Sequence, residues 1–373
     1  QGLERQHVPV WNLVLGLIGK VIGMFYRVWL TDLITSEGMG LYGTPYSVYN
    51  FLLVLSSALG MNTATLISDS LVRIGMQAVF VLAMLPTIQS GIGLNFGLPL
   101  GILCGLLGGL ITVEYNMTGL SGLFAAILIS LPLAAGVGIL YGWTLNHMRG
   151  SEMMVGNYLN FSIISLMCIG WMILPFTNKN IIWAMGSGVR STITLEGSYE
   201  HILDDFLSFS VAGVTIPTGT LLVIAVLCVI MFLFLRSKTG VMMRCSGENP
   251  IFGASLGINN NRMRILSATL STVLGAVGII IYSQSYGFYQ LYTAPQMMAY
   301  PAIAAILIGG ATTQRANIRN VLLGVVLYQS LLTIALPITS EVLQNSSLSE
   351  ILRTIVSNGI ILYALTKMDG RKV

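Results

Sequence analysis

The chain has 373 residues, 54% of them hydrophobic and 9% charged, with a net charge of +4. Mean hydropathy is +0.80. Soluble domains carry roughly 25% charged residues, and a fold of this size could not hide so much apolar surface from water. The composition argues against a soluble enzyme, a disordered chain and a nucleic-acid module, and for a polytopic membrane protein.

The apolar runs are long and do not alternate, so the spans are helices rather than barrel strands. A bilayer core of roughly 30 Å needs about 20 apolar residues per helix. In chain order the hydrophobic segments fall near 9–30, 42–60, 74–88, 94–113, 118–145, 158–175, 219–236, 264–283, 297–311, 320–337 and 351–366. The fold class is thus an all-α bundle with ten or eleven transmembrane or re-entrant helices. The run at 118–145 holds Pro132 and is expected to kink or split. The run at 297–311 is short, opens with Pro301 and ends in Gly309-Gly310, the pattern of a segment that lines a cavity or re-enters the membrane. Gly101, Gly105 and Gly109 repeat every four residues and form a small-residue stripe for close helix packing.

Loop charges set the orientation. The stretch between spans at 236–264 carries Arg236, Lys238, Arg244, Arg262 and Arg264 against Glu248 and is expected inside. Alternation places the turns with Arg149 and with Arg315 and Arg319 on the same side, as it does the tail with Lys367, Arg371 and Lys372. The loop at 176–218, with Glu196, Glu200, Asp204 and Asp205, falls outside. The chain opens on Gln1, so residues ahead of it are expected. Its first residues do not read as a cleavable signal peptide.

Signals for chemistry are sparse. No GxxxxGK[ST] run is present, so ATP is not expected on this chain. Cys104, Cys168, Cys228 and Cys245 are scattered, and His7, His147 and His201 form no metal-ligand spacing. No metal site, cofactor, catalytic residue or nucleic-acid partner is expected. Between residues 74 and 366 the apolar runs hold almost no charge away from their ends, which argues against a proton- or sodium-driven carrier. Polar uncharged groups remain as lining for a solute pathway: Gln89, Asn95 and Phe96 before one span, and Gln284, Tyr286, Gln290 and Tyr292 near the outer end of another. An interfacial aromatic belt is the competing account of the tyrosines.

The loop from Arg244 to Arg264 is basic, rich in small residues, and has Pro250 at the start of a short helix. Its segment GENPIFGASLGINNNRMRILSATLSTVLGAVGIIIYSQ resembles the coupling loop and following helix of the branched-chain amino acid, ribose and simple-sugar permeases of ATP-binding-cassette importers. Gly247, Asn249, Pro250, Gly253, Ala254, Gly257, Ile258 and Arg262 carry that resemblance. AIAAILIGGATTQRANIRNVLLGVVL is similar to the Gly-Gly turn of the same family. Gly91-Ile-Gly93-Leu-Asn95-Phe96-Gly97 stands where the family has Gly-Gly-x-Asp-Leu-Ser-x-Gly; the acid is missing, and the Asn-Phe-Gly form resembles the simple-sugar and nucleoside branch. The resemblance spans about 62–366 and makes 61–373 a permease domain. It implies a bacterial plasma-membrane subunit, with ATP held by a partner ATPase docked on the 244–264 loop. It further implies a second permease subunit and an extracytoplasmic solute-binding protein.

Residues 18–60, with Lys20 and Arg27 in an apolar stretch, look instead like the opening of stage V sporulation protein B-like lipid flippases and polysaccharide exporters. Two accounts of 1–60 stay open: a segment fused near Gly60, or a diverged first permease helix. A secondary carrier or lipid or polysaccharide flippase is the alternative function. If the 244–264 loop is a docking surface, Gly257→Arg is expected to abolish uptake while leaving membrane insertion intact, as read by transport assay and membrane fractionation.

Overall fold

The computed structural model describes residues 63–183, 188–211, 213–343 and 359. The expected spans at 9–30, 42–60 and 351–366 lie outside them, as does the N-terminal segment 1–60.

Among the described residues the chain is helical almost throughout. It runs through α1 (Thr63–Gln89), α2 (Leu98–Glu114), α3 (Gly119–His147) and α4 (Glu152–Ile173). A loop follows with β1 (Thr192–Thr194), the one-turn α5 (Ile202–Asp205), β2 (Phe209–Val211) and β3 (Val214–Ile216). Then come α6 (Thr218–Arg236), α7 (Lys238–Glu248), α8 (Pro250–Ser255) and α9 (Asn260–Tyr286). β4 (Phe288–Gln290), α10 (Thr293–Met297), α11 (Ala299–Ile308) and α12 (Ile318–Leu343) complete the order. Five of these, α1, α3, α4, α6 and α9, are long and apolar enough to cross a bilayer. Helices predominate because backbone polar groups have no water to bond inside the hydrocarbon.

Two expectations change. Pro132 does not divide its segment: α3 is one helix from Gly119 to His147. And α1 is already helical at Thr63, ahead of the expected start near 74, so Asp69 and Arg73 belong to a helix. The Thr215 N–H in β3 donates to Ser68 Oγ at 2.9 Å, which puts the first turns of α1 level with the loop strands rather than deep in the bundle.

The connections sort to two ends. At one end Ser90 and Ser267 hydroxyls share a 2.6 Å hydrogen bond, Gln89 Nε2 donates to the Ala316 carbonyl at 2.9 Å, and Arg264 meets Glu152 at 2.6 Å. Arg149, Arg236, Lys238, Arg244, Arg262, Arg315 and Arg319 lie on this end's connections. At the other end β1 pairs antiparallel with β4, setting Thr192 opposite Gln290. There the Gly119 N–H donates to Ser198, the Leu195 N–H to Gly287 and the His201 N–H to Gln284. Glu196, Glu200, Asp204 and Asp205 lie at that end. The folded chain thus separates a basic end from an acidic one as the loop charges anticipate.

α9 is the axis. Gly101 and Gly105 bring α2 so close that a Cβ on either would fall inside 3.0 Å of the Thr272 or Ala276 carbonyl. Gly138 and Gly142 do the same for α3 against Thr269 and Ile265. Helices in lipid gain no hydrophobic attraction for each other, so close van der Waals contact takes its place. The third glycine of the stripe, Gly109, makes room for the Tyr289 hydroxyl. That hydroxyl bonds Tyr199 at 2.8 Å, and Tyr199 meets Thr112 at 3.0 Å. Burial raises both tyrosine pKa values, so the pair stays protonated and bonded.

α11 is short, as its sequence suggests, and is buried from Ala302 to Ile308. Asn320 Nδ2 donates to the Gly309 carbonyl at 2.6 Å, which closes the Gly309-Gly310 turn onto α12.

Gly105→Ala is expected to destabilise the bundle by roughly 1–3 kcal/mol, the range for overpacking. Gly136→Ala, at a helical site with no neighbour within 4 Å, is expected to be neutral or to stabilise by up to about 1 kcal/mol. Thermal unfolding of both variants in the same detergent checks this.

Candidate functional site

The basic end is organised by short polar caps. Ser237 caps α7, its hydroxyl accepting from the Gly240 N–H at 3.3 Å. Asn249 ends α7 and starts α8, and its Oδ1 accepts from the Phe252 N–H at 3.0 Å. Pro250 opens α8, where its missing N–H costs nothing. Gly257 takes φ +77° to turn the chain, and the Ile258 N–H donates back to Gly253 at 3.0 Å. Asn259 then caps α9 by accepting from the Arg262 N–H at 3.1 Å. Asn260 Nδ2 donates to the Pro250 carbonyl at 2.8 Å and staples α8 to the first turn of α9. Gly247 lies on the backbone of Gln89 and Gly91, where no side chain would fit.

The result is a helix of six residues held rigidly at the basic end. Its outer face shows Ile251 at 84% exposure, Leu256 at 61% and Phe252 at 53%, with Arg244, Arg262 and Ala254 also exposed. Large apolar side chains are thus exposed side by side among charged ones, a pattern common at interaction surfaces. Sequence reading chose the residues that build this loop: Gly247, Asn249, Pro250, Gly253 and Gly257. It passed over Ile251, Phe252 and Leu256, which face outward. Their apolar character inside an otherwise polar loop was the available signal.

The seven residues expected to line a pathway divide between the two ends. Toward the basic end, Asn95 is 1% exposed. Its Nδ2 donates to Ser271 at 2.7 Å, and its Oδ1 accepts from the Tyr141 hydroxyl and the Gly97 N–H, both at 2.9 Å. This amide pins the bend between α1 and α2 to α3 and α9. Gln89 is also buried and bonded to Ala316. Phe96 is half-buried and meets Tyr300 edge-on at 6.3 Å, while the Tyr300 hydroxyl donates to Asn157 on α4 at 3.2 Å. Toward the acidic end, Gln284 is fully buried and its Oε1 accepts from the Leu203 N–H at 3.1 Å. Tyr286 is 40% exposed and stacks with Tyr282 and Phe288. Gln290 and Tyr292 are half-buried at the β4 strand and just beyond it. Among the described residues the seven do not come together at one place. Among the described residues no group of three or more His, Cys, Asp or Glu could hold a metal.

A rigid, outward-facing short helix at the basic end of a multi-pass helical bundle is the arrangement of a membrane component that works with a partner. The family model for the permease component of branched-chain amino acid transport systems matches residues 47–365. The chain belongs to this family of ATP-binding-cassette permeases. It is therefore a multi-pass membrane permease subunit, whose partners in general are an ATPase and other components of such a system. The match starts at residue 47, inside the segment set apart by its flippase-like sequence. No curated protein and no solved structure matches the permease.

Asn95→Leu in the permease is expected to lower stability by about 1–3 kcal/mol, because it leaves buried groups on Gly97, Tyr141 and Ser271 without partners. Tyr141→Phe, which removes one bond and leaves Asn95 in place, is expected to cost about 1 kcal/mol. Unfolding midpoints of the two variants and their double check both values and their coupling.

Proposed function

We propose that the permease forms the translocation pathway of an ATP-driven importer for a small polar uncharged solute, a simple sugar or a nucleoside. The observation that carries this reading is the exposed Ile251, Phe252 and Leu256 face on α8. It offers an ATPase subunit an apolar ridge with Arg244 and Arg262 beside it. ATP binding in that partner supplies the differential affinity that shifts the permease between its two access states. A second permease subunit completes the pathway, and a solute-binding protein delivers to the acidic end, in a bacterial plasma membrane.

The solute class follows from what lines the spans. Asp69 and Arg73 lie near the acidic end of α1, and Glu152 is tied to Arg264, so the described spans offer no free buried charge to a charged solute. Phe96, Tyr300 and Asn157 instead put two aromatic rings and an amide on a half-buried patch between α2, α4 and α11. Rings stack on the apolar faces of sugars and bases, and amides bond their hydroxyls. Gln284, Tyr286, Gln290 and Tyr292 would meet the solute at the acidic end.

The docking test is the double variant Ile251→Glu/Phe252→Glu. An ATPase subunit is expected to co-purify with the intact permease and to be lost from the variant, with unfolding temperature unchanged. Retention of the ATPase by the variant would defeat the assignment. Gly257→Arg is the weaker test, since φ +77° at that position strains any side chain. For the solute, vesicles carrying the complete assembly are expected to take up a labelled pentose or nucleoside in an ATP-dependent manner. Uptake of leucine with neither of these would overturn the solute class.

A further inference from the structure

One ion pair stands apart from every other charge in the described residues. Arg264 Nη2 lies 2.6 Å from Glu152 Oε1, and the two side chains are only 11% and 13% exposed. The remaining ion pairs among the described residues both involve His201 at the acidic end. Arg264 sits in the second turn of α9, just beyond α8. Glu152 is the first residue of α4. The pair therefore joins elements that are 112 residues apart in sequence.

A hydrogen-bond network surrounds it. Arg264 Nε donates to Asn146 Oδ1 at 3.0 Å, and Asn146 Nδ2 donates to the Asn261 carbonyl at 3.0 Å. Arg149 donates to Asn261 Oδ1. The second carboxylate oxygen of Glu152 accepts from the Gly150 N–H at 2.9 Å. The turn between α3 and α4 is thus clamped to the first two turns of α9. Those turns are in turn stapled to α8 through Asn260 and the Pro250 carbonyl.

Beyond the clamp, α4 makes little contact with the rest of the chain. It is the most exposed of the five long helices. Next to the clamp, Gly156 lies against Tyr141 and Gly97. Farther along, an open apolar groove lies on the surface between α4 and α2, lined by Leu107, Met167, Gly170, Ile173, Leu174 and Pro175. A helix fixed at one end by a largely buried charge pair, and sparsely packed beyond it, has the geometry of a lever about that end.

We propose that Arg264 and Glu152 are positioning residues that transmit displacement of α8 to α4, so that α4 is the element the partner ATPase moves. This rests on the reading of α8 as the docking helix. A largely buried pair suits the task because it resists separation: removing one partner leaves the other charge poorly solvated. The arginine fork and its two acceptors also fix direction as well as distance. α4 carries Asn157, which bonds Tyr300 beside Phe96, so its movement reaches the polar aromatic patch directly.

The test uses the full permease with its co-purifying ATPase in lipid nanodiscs. Spin labels are placed at Ile173, the last residue of α4, and at Tyr115, just past α2; these are 75% and 72% exposed. The four native cysteines are replaced, and the labelled background is required to keep ATP hydrolysis. Addition of ATP and orthovanadate is expected to shift the label distance by a few Å, the scale of helix displacements in switching proteins. Glu152→Gln and Arg264→Gln are each expected to keep the ATPase bound and hydrolysing while cutting the shift at least fivefold. The exchange Glu152→Arg/Arg264→Glu is expected to restore more than half of it.

An unchanged shift in the single variants, no shift in the background, or an exchange no better than the singles each overturns the proposal. A merely structural role would lower unfolding temperature without moving the shift. Should Glu152→Gln fail to insert, Arg264→Lys keeps the charge and gives up the fork; a partial loss of shift is then expected, and full retention overturns the proposal. Failure of any ATPase to bind the intact permease overturns the docking reading, and this inference with it.

Discussion

Backbone contact between α2, α3 and α9 is the constraint on which the rest of the structure depends. Inside a membrane there is no gain from hiding one apolar helix against another, so association needs contact close enough for dispersion to act. Gly101, Gly105, Gly138 and Gly142 supply it by letting three backbones meet. Once α2 and α3 are drawn onto α9, Asn95 can bridge Ser271 and Tyr141, which come from two different helices. The same stripe reaches the acidic end at Gly109, where the missing side chain admits the Tyr289 hydroxyl and so ties β4 and the β1 loop to the bundle. One spacing of small residues therefore orders both ends of the permease.

The parts of this fold that are legible in sequence are those set by local composition. Among the described residues, hydropathy located the spans because each must be apolar over a bilayer's thickness. Loop charge separated the ends because it accumulates where spans stop. Helix limits were less legible. α1 continues through Asp69 and Arg73, and α4 starts at Glu152 and contains Asn157 and Asn160. Polar residues end an apolar window without ending the helix. The β1–β4 pair was invisible, since strands of three residues separated by a loop and two long helices carry no periodic signal.

The candidate sites divide along the same line. Caps and turns are local, so Asn249, Pro250, Gly257 and Asn259 could be read as the frame of a short helix. Which side chains that frame turns outward depends on packing against Gln89 and Gly91, far away in sequence, and Ile251, Phe252 and Leu256 went unmarked. Amides were harder still. Asn95, Gln89 and Gln284 look alike in an apolar context, whether they wait for a solute or satisfy their own backbone. In the folded permease all three bond inward, to Gly97, Ala316 and Leu203 respectively. Phe96, in the turn before α2, differs because it is only half-buried and its neighbours Tyr300 and Asn157 come from two helices, α11 and α4.

Charge placement ties the energetics to the proposed mechanism. A carrier driven by an ion gradient needs a titratable or ion-binding group within the span, and such a group is costly unless function retains it. In the described spans of this permease the strong charge pair is displaced to the basic end, beside α8, where Arg264 holds Glu152. Buried ion pairs add little net stability compared with apolar packing, so their value lies in resisting separation and fixing geometry. A pair placed at the head of the most exposed long helix, one staple away from the exposed α8 ridge, is where force from outside the bundle would enter it. The middle of the membrane is left to glycines, hydroxyls and amides that hold helices together, while the charges sit where work would be delivered.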